Sequence, residues 1–111
     1  MEQKAMSEAC TPTFTALDDA LYVIGGKWRL RIVTVLYDGN KRFNELQRIL
    51  KGISSKVLSH ELKELELNGF IKKTDTMEYE ATPYGFTLHE VVISLAKWGK
   101  MHRTNIMQAE K

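Results

Sequence analysis

The sequence predicts a mostly α fold with a small β-hairpin, on three observations. Apolar residues recur at helical spacing in five segments. Two short β-prone runs, Phe70 to Thr74 and Met77 to Ala81, stand together between the fourth and fifth of these. Glycines or short polar residues mark most of the segment ends, as at Gly25 with Gly26, Asp38 with Gly39, Gly52, and Asn68 with Gly69. With 111 residues, 43% hydrophobic and 27% charged, the chain has material for one modest core. Residues 1–13 are expected to be a flexible N-terminal arm and residues 14–111 a single domain.

Thr15 with Asp18 three positions on fits a capped helix start, and Leu17, Ala20, Leu21 and Ile24 continue it to a stop at Gly25 and Gly26. A second helix spans about Lys27 to Tyr37. Trp28, Ile32, Val33, Val35 and Leu36 cover most of its circumference, as expected of a buried central element. The third, from about Arg42 to Leu50, is short and amphipathic. Its face of Phe43, Leu46, Ile49 and Leu50 leaves Asn44, Gln47 and Arg48 outward.

After the break at Lys51, Gly52 and Ile53, Ser54 caps a fourth helix with an inner stripe of Val57, Leu58, Leu62 and Leu65, ending at Asn68 and Gly69. Its other face carries Ser55, Lys56, Ser59, His60 and Lys63, hydrogen-bonding groups and cations suited to base edges and phosphates. The two strands turn around Asp75 and Thr76. Thr82 and Pro83 then open a long helix to about Met107, nearly 40 Å at the helical rise, with Leu88, Val91, Val92, Leu95 and Trp98 as its stripe.

The second, third and fourth helices, the last two joined by a short glycine-containing turn, followed by a hairpin: this is the order of a winged helix-turn-helix. In that motif the recognition helix enters the major groove and the hairpin approaches the neighbouring backbone. The net charge is only +2, but between Lys27 and Lys63 nine bases face three acids, leaving +6 there and −4 elsewhere. A cationic middle is the footprint of a polyanion-binding surface. Ser54, Ser55, Lys56, Ser59, His60 and Lys63 are therefore the expected base and phosphate contacts. Lys27, Arg29, Arg42, Arg48, Lys72 and Lys73 are expected along the backbone. The last helix outruns a domain about 30 Å wide, so its far end should meet a second copy of the chain. Leu17, Leu21, Leu95, Trp98 and Ile106 are the candidate dimer contacts, which makes the last helix a dimerisation helix.

The same residues resemble the HxlR-type winged-helix transcriptional regulators of bacteria and archaea. The resemblance runs through Ile24 to Trp28, then Gly39 and Lys41 to Leu46, then Gly52 to Ser54 with Lys56 to Leu58. It continues in Leu62 to Leu65, Gly69 to Ile71, Glu78 with Tyr79, Thr82 with Pro83, and Gly85. It implies a homodimer on double-stranded DNA at an inverted repeat, joined through the first and last helices. Two departures stand out. The wing between Ile71 and Glu78 is shorter than the family's and lacks its proline and arginine. The family's cysteine before the first helix, a redox sensor in some members, has Thr15 near its place. Cys10 lies further upstream, with no basic neighbour to favour a thiolate.

Other chemistry finds little support. A single cysteine excludes an intramolecular disulfide and suits a reducing cytoplasm. The uncharged runs are too short to span a membrane, and the first thirteen residues lack the apolar segment of a secretory signal. His60, His89 and His102 share no metal-binding spacing, and no phosphate loop or nucleophile motif appears. No catalytic residue, metal or cofactor is expected, and no small-molecule effector is indicated. The competing reading is a winged-helix module that binds protein rather than DNA.

Overall fold

The computed structural model describes the backbone of residues 3–109 and the side chains of residues 12–109. The elements follow in the order α1 (Gln3–Ile24), α2 (Arg29–Tyr37), α3 (Phe43–Ile49), α4 (Ser55–Leu67), β1 (Ile71–Lys73), β2 (Tyr79–Ala81), a 3₁₀ turn (Gly85–Leu88) and α5 (His89–Ala109). Leu58, Leu62 and Leu65 of α4 close onto Ile32, Val33 and Leu36 of α2 and Leu46 of α3. The hairpin adds Phe70, Ile71, Tyr79 and Ala81 to the same core.

Local chemistry sets each boundary around that core. The Val57 amide donates to Ser54 Oγ at 3.1 Å, so the expected cap of α4 is made. At the far end Gly69, with φ +81°, donates to the Glu66 carbonyl and Phe70 donates to that of Leu65. This 5→2 and 6→1 pair is a Schellman motif, and it turns the chain directly into β1. The strands are antiparallel, with Ile71 opposite Ala81 and Lys73 opposite Tyr79. Their turn closes with the Met77 amide donating to Thr74, and Met77 holds the left-handed conformation at φ 67°, uncommon for a residue with a side chain. Lys41 exchanges both backbone hydrogen bonds with Tyr79, which fastens the α2–α3 connection to the hairpin as a third, one-residue strand.

Two expectations are corrected. The first helix begins at Gln3, not at Thr15, so residues 3–13 belong to the same helix. Lys4, Ala5, Met6, Glu8 and Ala9 are strong helix formers and carry the helix up to Pro12. The last helix begins at His89 rather than Pro83. Thr82 does accept from the Gly85 amide at 2.9 Å and donates to the Gly69 carbonyl at 2.6 Å, but the element that this leads into is the 3₁₀ turn, whose cap position is Tyr84. A Cβ at Gly85 would collide with the Phe70 carbonyl oxygen, so this close passage requires glycine. The 21 residues of α5 measure about 32 Å, shorter than the expected 40.

Tyr37 joins α2 to this corner. Its hydroxyl donates to the Gly85 carbonyl at 2.7 Å, and its ring meets Phe86 and His89 with centroids 5.0 and 4.9 Å away. Burial pushes the phenol pKa above its usual value. Beyond it α5 has no buried residue. The molecule is elongated, 55 × 40 × 23 Å.

Candidate nucleic-acid interface

The core stripe of α4 leaves positions 55, 56, 59, 60 and 63 on the opposite arc of the helix. Ser55, Lys56, Ser59, His60 and Lys63 are all exposed there, with Ser54 exposed at the N-terminus. Three side chains that can donate or accept are thus interleaved with two lysines on one convex face. Among the described residues neither lysine has an ion-pair partner. The face is fixed rather than floating. Gln47 of α3 donates to Ser55 Oγ at 3.0 Å and to the Ile53 carbonyl at 3.4 Å, so the turn between α3 and α4 is tied from both sides. Gln47 was not among the expected site residues. Its outward position on α3 was visible, but its reach across the turn was not.

The flanking cations divide. Arg42 and Lys73 line one small cleft of 210 Å³ between the start of α3 and the hairpin, together with Asn44 and Met77. Lys73 Nζ also lies 5.4 Å from the Tyr79 ring centroid. Lys72 and Arg48 are exposed, and Lys27 is exposed with its ammonium 4.9 Å from the Trp28 ring centroid.

Arg29 differs from the others. Its Nε donates to Glu61 Oε1 at 2.6 Å, with both side chains more than four-fifths buried. Its Nη1 donates to the carbonyls of Val23 at 2.9 Å and Tyr22 at 3.5 Å. The guanidinium expected along the DNA backbone is therefore engaged inside the fold, joining the end of α1 to the middle of α4. A long-range pair of this kind, 32 residues apart, leaves no periodicity in the sequence.

The candidate dimer contacts are on the surface of this chain. Leu17 and Leu21 on α1 are 50% and 56% exposed, and Leu95, Trp98 and Ile106 on α5 are 52%, 57% and 47% exposed. The side chain of Cys10 lies outside the described residues. Among the described residues no group of His, Cys, Asp and Glu is arranged to hold a metal ion. No described helix is long and apolar enough to cross a membrane.

The profile of the HxlR-like helix-turn-helix family matches residues 23–107. The chain is 36% identical over 102 residues to YybR of Bacillus subtilis (strain 168), an uncharacterized HTH-type transcriptional regulator, covering 86% of this chain and 78% of that one. Among solved structures, the redox regulator HypR in its reduced form superposes with a TM-score of 0.75 at 33% identity, over 84% of this chain and 98% of HypR. The quinone-bound YodB of B. subtilis gives 0.72 at 32% identity, over 78% of this chain and 98% of YodB.

Proposed function

We propose that this chain, which belongs to the HxlR-like helix-turn-helix family of winged-helix transcriptional regulators, works as a homodimer that binds an inverted-repeat operator in double-stranded DNA. The observation that carries this reading is the exposed face of α4, where Ser55, Lys56, Ser59, His60 and Lys63 stand opposite a fully buried stripe. Each subunit lays the N-terminal turns of α4 in a major groove, so that these side chains meet base edges and nearby phosphates. Arg42, Arg48, Lys72 and Lys73 hold the backbone on either side, and Lys27 does so from the start of α2. The short wing contacts phosphates rather than reaching deep into the minor groove. The half-exposed apolar residues of α1 and α5 support assembly through those helices. The protein acts in the cytoplasm and catalyses no reaction.

Selection of bound duplexes from a random pool tests the DNA binding and the dimer together. The expected product is a palindromic site whose affinity falls steeply with salt. On that site Lys63→Ala weakens binding evenly across sequences and lowers the slope of log affinity against log salt by about 1. Ser59→Ala instead shifts the preference at one base position by about 1 kcal/mol. Absence of DNA binding at low salt would overturn the reading, and a bound site without symmetry would overturn the dimer.

A further inference from the structure

The turn between α3 and α4 holds one hydroxyl in a defined hydrogen-bonding sense. Gln47, half-buried on α3, directs its amide nitrogen Nε2 to the Ile53 carbonyl at 3.4 Å and to Ser55 Oγ at 3.0 Å. The Ile53 side chain is in the core, so its carbonyl is a fixed post. A carbonyl oxygen only accepts, so the nitrogen of the Gln47 amide, and not its oxygen, is the atom turned to this corner. That nitrogen only donates, which makes Ser55 Oγ the acceptor of the second bond. Among the described residues Ser55 Oγ donates to no other group, and its side chain is exposed. A serine without such a neighbour donates or accepts equally well and suits any base edge. Accepting from Gln47 occupies a lone pair of Ser55 and polarises its O–H toward donating outward.

We infer that Gln47 is a positioning residue for DNA recognition: it presents Ser55 as a hydrogen-bond donor, whose target on the duplex is an acceptor atom. In the major groove the acceptors are purine N7, guanine O6 and thymine O4, and beside the groove they are phosphate oxygens. The amino groups of adenine and cytosine are disfavoured at this contact, because they donate as Ser55 does. The neighbouring Lys56, exposed and able only to donate, suits the same kind of target. Without the amide at position 47 the hydroxyl regains both roles, and the preference for an acceptor is lost. The inference rests on the operator-binding reading and adds to it the sense of one contact and the residue that sets it.

The test uses the full chain on its selected operator, remade with one acceptor deleted at a time. Deazapurines remove N7, aminopurine removes guanine O6, methylpyrimidinone removes thymine O4, and methylphosphonates remove phosphate oxygens, which separates base from backbone targets. Ser55→Ala should weaken binding to the intact operator about tenfold. On the one duplex that lacks the partner acceptor it should bind within about twofold of the parent. Gln47→Met should lose about fivefold on the intact operator, and neither on that duplex nor in the Ser55→Ala background should it lose more than about twofold. Gln47→Glu offers a carboxylate that accepts from Ser55 and turns its proton inward, so the same single contact should vanish. If Gln47 merely stiffened the turn, Gln47→Met would weaken every duplex alike, and its loss would persist in the Ser55→Ala background. That pattern overturns the inference, as does a Ser55→Ala protein that binds the intact operator like the parent. Either result leaves operator binding standing, whereas a parent that binds no duplex overturns the operator reading and this inference together.

Discussion

The helices α4 and α5 carry the same kind of apolar stripe and meet different fates. Over 13 residues α4 buries Leu58, Leu62 and Leu65 almost completely, whereas α5 buries none of its 21. The stripe of α4 is covered by its own chain, and that of α5 is left half open. Apolar periodicity therefore tells that a helix has a face to hide, and not whether the chain itself hides it.

The difference can be tested by stability, beginning with the largest effect. Leu62→Ala should lower the unfolding free energy by about 3 kcal/mol, through lost transfer energy and an unfilled cavity. Leu95→Ala, at a concentration where the chain is monomeric, should stay within about 0.5 kcal/mol of the parent. Denaturant titration of both checks this, and equal losses would erase the contrast between the helices.

Next in size is the tie between α1 and α4. Arg29→Ala should cost about 2 kcal/mol, because it leaves the largely buried Glu61 carboxylate without its partner and releases two carbonyls. In a double-mutant cycle with Glu61→Gln the coupling should be about 1 kcal/mol, and a coupling of zero would mean that Arg29 acts through the carbonyls alone. The smallest effect belongs to the cap. Ser54→Ala should cost about 1 kcal/mol by thermal unfolding, with Ser54→Gly nearer to the parent.

What the sequence made legible follows from how local each cause is. The Ser54 cap, the Gly69 stop, the strand pair and the polar arc of α4 rest on residues within a few positions of one another, and all appear where the pattern put them. Thr82 was legible as a hydrogen-bonding start but not as the lead into a 3₁₀ turn, because the Gly69 carbonyl it also holds lies 13 residues back. The start of α1 was misplaced because Thr15 with Asp18 imitates a capping box inside a continuous helix. The Lys41 bridge to Tyr79 and the pairing of Arg29 with Glu61 depend on tertiary placement, which no window of sequence contains. Of the expected cationic contacts, Arg29 is the one turned inward. The others remain on the surface, with Arg42 and Lys73 brought to one cleft.

That inward guanidinium bears on how divisible the molecule is. A terminal helix with an exposed apolar face invites the view of a detachable module, to be trimmed or exchanged without disturbing the remainder. Arg29 argues otherwise. It holds the last carbonyls of α1 and the side chain of Glu61 with one rigid plane of donors. Any insertion, deletion or graft that shifts the end of α1 by a single residue changes what that plane can reach, and the change is delivered to the helix carrying Ser59 and Lys63.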